Sequence, residues 1–220
     1  MLQKATLTFL RQLKGHNEKS WFDAHKDQYL TAKADFEKFI TQLLLEMGKT
    51  DQHMAALELK DCVFRIYKDV RFSKDKTPYK THFAAGINKG GKKVHFPGYY
   101  FHAEPDGLTF CGGGIWHPAG PELKKIRQEI DYNFDEFLTI ITNREFVKLF
   151  GALEDENALV RVPQGYMEDN PAIKYLKMRD YIVGTSFTDA QLTNKGLLKK
   201  VLHIFNTMQP FIDFLGRALH

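Results

Sequence analysis

The sequence predicts an α+β protein in which one antiparallel sheet packs against N-terminal and C-terminal helices. Three observations predict it. Apolar residues recur at the helical period before about residue 60 and again after about residue 120. Between them, roughly over residues 62–116, the period falls to two and glycine and proline punctuate it. No repeat or low-complexity linker divides the 220 residues, so a single α+β domain over 1–220 is expected.

The elements follow in order. In "KATLTFLRQL" Leu7, Phe9, Leu10 and Leu13 fall at helical spacing, and Gly15 ends the run. Asn17 is placed to cap a longer helix in which Trp21, Phe22, Tyr29, Phe36, Phe39, Ile40, Leu43 and Met47 recur up to Gly48. After "HPAGPE", with Pro121 suited to a first helical turn, Ile126, Ile130, Phe137, Ile141 and Phe146 resume the period. "YIVGTSF" reads as a late strand near 181–187, Thr188 and Gln191 form a capping-box pattern, and Lys195–Leu219 is a long amphipathic helix containing Pro210.

Composition narrows the function classes. No apolar run approaches the ~20 residues that cross a bilayer, and the N-terminal segment lacks a signal-peptide core, so no membrane and a cytoplasmic location are expected. The two cysteines, Cys62 and Cys111, sit in strand-like apolar surroundings and read as buried free thiols. Net charge is +4, but ten Lys/Arg and three Asp fall within residues 60–93, leaving the rest slightly acidic. A field so concentrated attracts anions; a lysine-rich sheet edge that resists aggregation gives the same pattern.

The segment "RIYKDVRFSKDKTPYKTHF" holds six of those cations in nineteen residues. Alternation puts Phe64, Ile66, Val70 and Phe72 on one face and Arg65, Tyr67, Asp69 and Arg71 on the other. A hairpin around "SKDKTP" that pairs Phe72 with Tyr79 makes the faces agree; it sets Arg71 opposite Lys80 and Asp69 opposite His82. Like charges facing across strands are destabilising, which points to an anion held by Arg71, Lys74 and Lys80, with Lys76 nearby. Arg65 lies roughly 20 Å from Arg71 on such a strand, so it joins only for a longer anion. Lys68 stands on the apolar face as a misfit.

"FRIYKDVRFSKDKTPYKTHF" and "GYYFHAEPDGLTFCGGGIWHP", with "NEKSWF" and "LKKIRQEI", closely resemble the family called domain of unknown function 2461. The resemblance covers nearly the whole chain and implies a single-domain family without established catalytic residues. One departure is His82, where the family pattern leads one to expect asparagine.

Other constellations complete the reading. Asp106-Gly107 marks a tight turn, after a strand that sets Tyr100, His102 and Glu104 on one face. With His82 or His117 these suggest a metal, but no HxxxH or CxxC spacing supports one, and hydrogen-bonded histidines are expected instead; no metal and no cofactor are assigned. The glycines of "CGGGIWHP" lack the Lys and Ser/Thr of a phosphate loop and read as a place where another element or a ligand approaches the strand backbone, with Trp116 and either Tyr99 or Tyr100 as lining of a cleft or, more commonly for such aromatics, as core. No nucleophile elbow or activated thiol decides for or against catalysis. The expected binding residues are therefore Arg65, Arg71, Lys74, Lys76, Lys80, His82, Tyr100, His102 and Trp116, and the expected partner is a small phosphate- or carboxylate-bearing ligand. A nucleic-acid-associated protein using the 60–93 basic face is the alternative, although nucleic-acid binding is expected to be weak or none, and a partner-binding domain with an internally neutralised hairpin is a third reading.

Overall fold

A computed structural model gives the structure of the protein and describes residues 1–153 and 155–219. Five helices come first: α1 (Lys4–Gly15), α2 (Lys19–Ala24), α3 (Lys26–Met47), α4 (Gln52–Ala55) and α5 (Leu59–Cys62). Strands β1 (Phe83–Asn88), β2 (Gly98–Ala103) and β3 (Thr109–Ile115) follow, then α6 (Gly120–Tyr132), α7 (Phe134–Ile141), α8 (Arg144–Phe150) and α9 (Ile173–Leu176). Strand β4 (Tyr181–Phe187), α10 (Asp189–Leu192) and α11 (Leu197–Arg217) end the chain. The strands form one antiparallel sheet in the order β1-β2-β3-β4, so the predicted α+β class holds, late strand included.

The chain divides into two compact units. One comprises Met1–Lys93, Tyr100–Cys111 and Ser186–His203; the other comprises Val94–Tyr99, Gly112–Thr185 and the chain from Ile204 onward. No linker of special composition marks the division, because β2, β3, β4 and α11 each contain residues of both.

In the first unit, α1 and α3 bury their apolar stripes, and Phe36 of α3 stacks on Phe83 of β1 at 5.4 Å while Phe39 meets Phe101 of β2 at 5.0 Å. Phe101 is wholly buried, so truncation to alanine costs about 3–5 kcal/mol. The long helix expected from Asn17 to Gly48 is broken at His25, whose ring Nδ1 bonds the Trp21 carbonyl at 2.8 Å. Asn17 caps nothing. Its side chain instead exchanges two hydrogen bonds with the backbone of Tyr79, at 2.9 and 3.0 Å, as a neighbouring strand would. The expected Asp106-Gly107 turn is present, both residues at positive φ (67° and 76°), and their N–H groups donate to the Asp189 carboxylate at 3.0 and 3.1 Å.

In the second unit, Ile126, Ile130, Phe137 and Phe146 from α6–α8 pack with Tyr181, Phe211 and Phe214. The glycine run of β3 belongs here. A Cβ on Gly112 would overlap the Val183 carbonyl of β4, one on Gly113 the Met208 sulfur of α11, and one on Gly114 (φ +124°) the Tyr181 carbonyl. The close approach predicted for these glycines is made by β4 and α11. Both cysteines are buried and free. No helix among the described residues is long and apolar enough to cross a membrane.

Candidate functional site

The basic segment differs most from expectation. Residues 63–82 form no continuous strand; of two isolated antiparallel bridges, Val63 with Ala85 ties the segment to β1 and Tyr67 with Tyr79 closes it on itself. Tyr67, not Phe72, faces Tyr79, and backbone bonds from Lys80 to Ile66 (2.7 Å) and from Lys68 to Pro78 (2.9 Å) lock that register. The reason is packing: Ile66 is buried, and Phe22 stacks on Tyr79 at 4.0 Å, whereas the expected partner Phe72 is 95% exposed. The predicted oppositions of Arg71 with Lys80 and Asp69 with His82 do not occur.

The loop neutralises two of its cations itself. Arg71 grips Asp69 in a two-pronged pair at 2.6 and 2.9 Å, and this pairing holds the Asp69 carboxyl below its usual range. Lys68, the apparent misfit, reaches Asp75 Oδ2 at 2.7 Å and Thr77 Oγ1 at 2.6 Å; with the Thr77 donors it holds the Asp75 carboxyl far below the ordinary carboxylate range. Lys76 donates to the Val70 carbonyl at 2.9 Å. These pairs are solvent-exposed, so they shape the loop more than they stabilise the fold.

Among the described residues, four cations of the segment, Arg65, Lys74, Lys76 and Lys80, have no carboxylate within ion-pair distance, and of these four Lys80 alone is withdrawn from solvent. Lys80 is half-buried, with its ammonium 5.3 Å from the centre of the Phe64 ring. Burial and then the Arg65 charge push its pKa below the usual lysine value.

Beside Lys80, strand alternation assembles a second group of side chains. Phe101 points into the core, so Tyr100 and His102, with Glu104 just beyond the strand, take the opposite face. His102 Nε2 meets Glu104 Oε2 at 2.9 Å, and Tyr100 Oη meets His102 Nδ1 at 3.2 Å. Thr81 donates to Glu104 Oε1 at 2.8 Å, and the Thr109 hydroxyl accepts from Glu104 N and donates to Glu104 O. His82 completes the group: its ring centre lies 4.0 Å from that of His102 and its Nδ1 3.9 Å from Glu104 Oε2. One ligand atom from each of His82, His102 and Glu104 lies within 4.8 Å of the others. Phe110 stacks on His102 at 4.8 Å.

Burial sets the charges. It pushes His82 down to about 4, helped by His102 and opposed by Glu104; it also lowers His102, against the Glu104 hydrogen bond. Burial alone would raise the Glu104 carboxyl, but the hydrogen bonds from His102 and Thr81 outweigh it and keep the group ionised. The Tyr100 phenol is pushed up to about 12 by burial and then by Glu104. Near neutral pH the group is thus two neutral imidazoles against one carboxylate, a set able to ligate a cation or relay a proton.

Of the residues predicted from sequence, Lys80, His82, Tyr100 and His102 come together here, with Arg65 close enough for its charge to act on Lys80. Arg71, Lys74 and Lys76 remain with the loop, and Trp116 belongs to the other unit, where it stacks on His117 at 4.2 Å. Glu104, placed by the sequence on the face of Tyr100 and His102 but left out of the expected binding residues, joins them here, as does Thr81. The period-2 pattern in "YFHAE" was the available signal for Glu104; nothing local marks Thr81.

Fold and site together define an α+β protein whose sheet carries a partly buried His–His–Glu group beside an uncompensated lysine. The chain belongs to the DUF2461 family of conserved hypothetical proteins, whose model matches residues 5–214. No curated protein and no solved structure matches it.

Proposed function

We propose that the protein binds a small phosphate- or carboxylate-bearing ligand through Lys80 and Arg65, on the sheet face that carries His82 and His102. The observation that carries this reading is the half-buried position of Lys80, since the other cations of the segment that lack a carboxylate among the described residues, Arg65, Lys74 and Lys76, are exposed. Arg71, Lys68 and Lys60 each pair with a carboxylate of their own neighbourhood, Asp69, Asp75 and Glu58. Lys80 has none among the described residues, although it is half-buried and shares its surroundings with Arg65. A half-buried ammonium beside a second cation is costly unless an anion joins them, and a phosphate or carboxylate supplies that charge with matching acceptors. The anion site thus shifts from the loop tip, where the sequence suggested it, to the base of the loop.

The test is ligand-dependent stability. A ligand present at 100 times its Kd adds about 2.7 kcal/mol, which for a chain of this length raises Tm by roughly 5–10 °C. Inorganic phosphate, sulfate, nucleoside monophosphates and small dicarboxylates form the panel. At least one should raise Tm, Lys80→Ala should remove that rise, and Arg71→Ala should keep it. A Lys80→Ala protein that responds as the parent does would refute the reading.

A further inference from the structure

We propose that His82, His102 and Glu104 bind one divalent transition-metal ion. Three features converge on this. The donor atoms are gathered already: His82 Nδ1 and His102 Nε2 both lie near Glu104 Oε2, at 3.9 and 2.9 Å, and all three donors fall within 4.8 Å of one another. Ligand atoms about 2.0–2.2 Å from a four-coordinate ion stand roughly 3.3 Å apart, so the widest donor separation must close by up to about 1.5 Å while the His102–Glu104 pair opens slightly. His82 can make that adjustment, because it precedes β1 rather than lying within it.

Each of the two β2-side ligands also has a partner that orients it while leaving one atom for the ion. Tyr100 Oη holds His102 Nδ1, and Thr81 Oγ1 holds Glu104 Oε1. The atoms left over, His102 Nε2 and Glu104 Oε2, are the two that point at each other and toward His82. Outer partners of this kind fix ring orientation and ligand basicity at metal centres. On binding, the proton on His102 Nε2 is carried at Nδ1 instead, where it is donated to Tyr100 Oη, so the phenol changes from donor to acceptor and no net charge is lost.

The donor chemistry defines the ion. Two imidazoles and one carboxylate suit zinc, iron(II), cobalt(II) or nickel(II) rather than magnesium or calcium, which require oxygen ligands. Three protein ligands leave at least one position for water or an exogenous ligand. The side chains are partly shielded: His102 and Glu104 are only 10% and 15% exposed, and Phe110 covers the His102 ring. The ion site shares no side chain with the Lys80–Arg65 anion site, and the two readings fail separately.

The experiment uses the full chain without an affinity tag, freed of metal by a chelator. It is titrated with zinc by calorimetry and with cobalt(II) by visible absorption. The expectation is one ion per chain, affinity at least 100-fold weaker in His82→Ala, and a loss of about 10- to 100-fold in Tyr100→Phe. Unchanged circular dichroism shows that the variants fold; should His82→Ala not fold, His82→Asn makes the same comparison. Absence of stoichiometric binding by the parent, or equal binding by the parent and the His82 variant, overturns the assignment.

Discussion

Replacing Gly114 by alanine tests how closely the glycine run of β3 is invaded by its neighbour. Gly114 sits at φ +124°, a region that L-residues rarely adopt, and a Cβ there would overlap the Tyr181 carbonyl oxygen and come within 2.9 Å of Ile182 Cα. Backbone strain of this kind costs about 1–3 kcal/mol, and forcing a methyl into packed surroundings about 1–3 kcal/mol more. Both obstructing atoms are β4 main chain, so neither can give way by a rotamer change. The sum, roughly 2–6 kcal/mol, is a substantial part of the 5–15 kcal/mol that holds a typical domain together. At 2–4 °C per kcal/mol for a chain of this size, Tm should fall by about 5–25 °C. Gly107→Ala is the control. Gly107 also has positive φ (+76°), but nothing lies within 4 Å of its Cβ position, so only the backbone term of about 1–2 kcal/mol remains. Thermal and urea unfolding followed by circular dichroism compare the two. Equal losses in Gly114→Ala and Gly107→Ala would refute the steric argument.

Two further predictions concern charge. His95 has Glu122 Oε2 at 2.7 Å on Nδ1 and the Trp116 carbonyl at 3.0 Å on Nε2, so both ring nitrogens face acceptors and the imidazolium is favoured. The Trp116 carbonyl first, and Glu122 with it, raise its pKa above 6.5 against the effect of burial. A raised folded-state pKa stabilises fully below the unfolded value and is lost as pH rises through the folded one. The stability advantage of the parent over His95→Gln in urea should therefore shrink from pH 6 to pH 8.5, and a constant gap would contradict the pairing. Nucleic-acid binding should be weak, no tighter than ~10⁻⁶ M near physiological salt, because Arg71, Lys68 and Lys60 are already paired. An anisotropy titration giving sub-micromolar affinity, lost when Arg65, Arg71 and Lys80 are replaced together, would reverse that.

Much of this architecture can be read from local pattern. The period-2 alternation of "GYYFHA" gives β2 and puts Tyr100 with His102, the Asp106-Gly107 pair gives its turn, and Thr188 with Gln191 gives the capping box at α10. These features depend on residues within a few positions of one another. The basic segment is different. "FRIYKDVRF" alternates as a strand should, yet its register is decided by Phe22 and by Asn17, which lies 62 residues before the Tyr79 backbone it bonds. No local pattern records a contact of that span. The choice between a bound anion and internal neutralisation was equally hidden, because Asp69 can face His82 in one register and grip Arg71 in another. For His82, sequence alternation offers both Asp69 across the hairpin and the His102–Glu104 face, and the fold supplies the second.

The central claim is that the ligand-binding surface lies at the base of the basic segment, around Lys80, and not at its tip. Backbone amide NMR during a titration with inorganic phosphate tests this most directly. Saturable shifts should centre on Lys80, Thr81 and the facing residues Arg65 and Ile66, with the amides of Ser73 to Lys76 little changed. Shifts centred on Ser73 to Lys76, or none at millimolar phosphate, would contradict it.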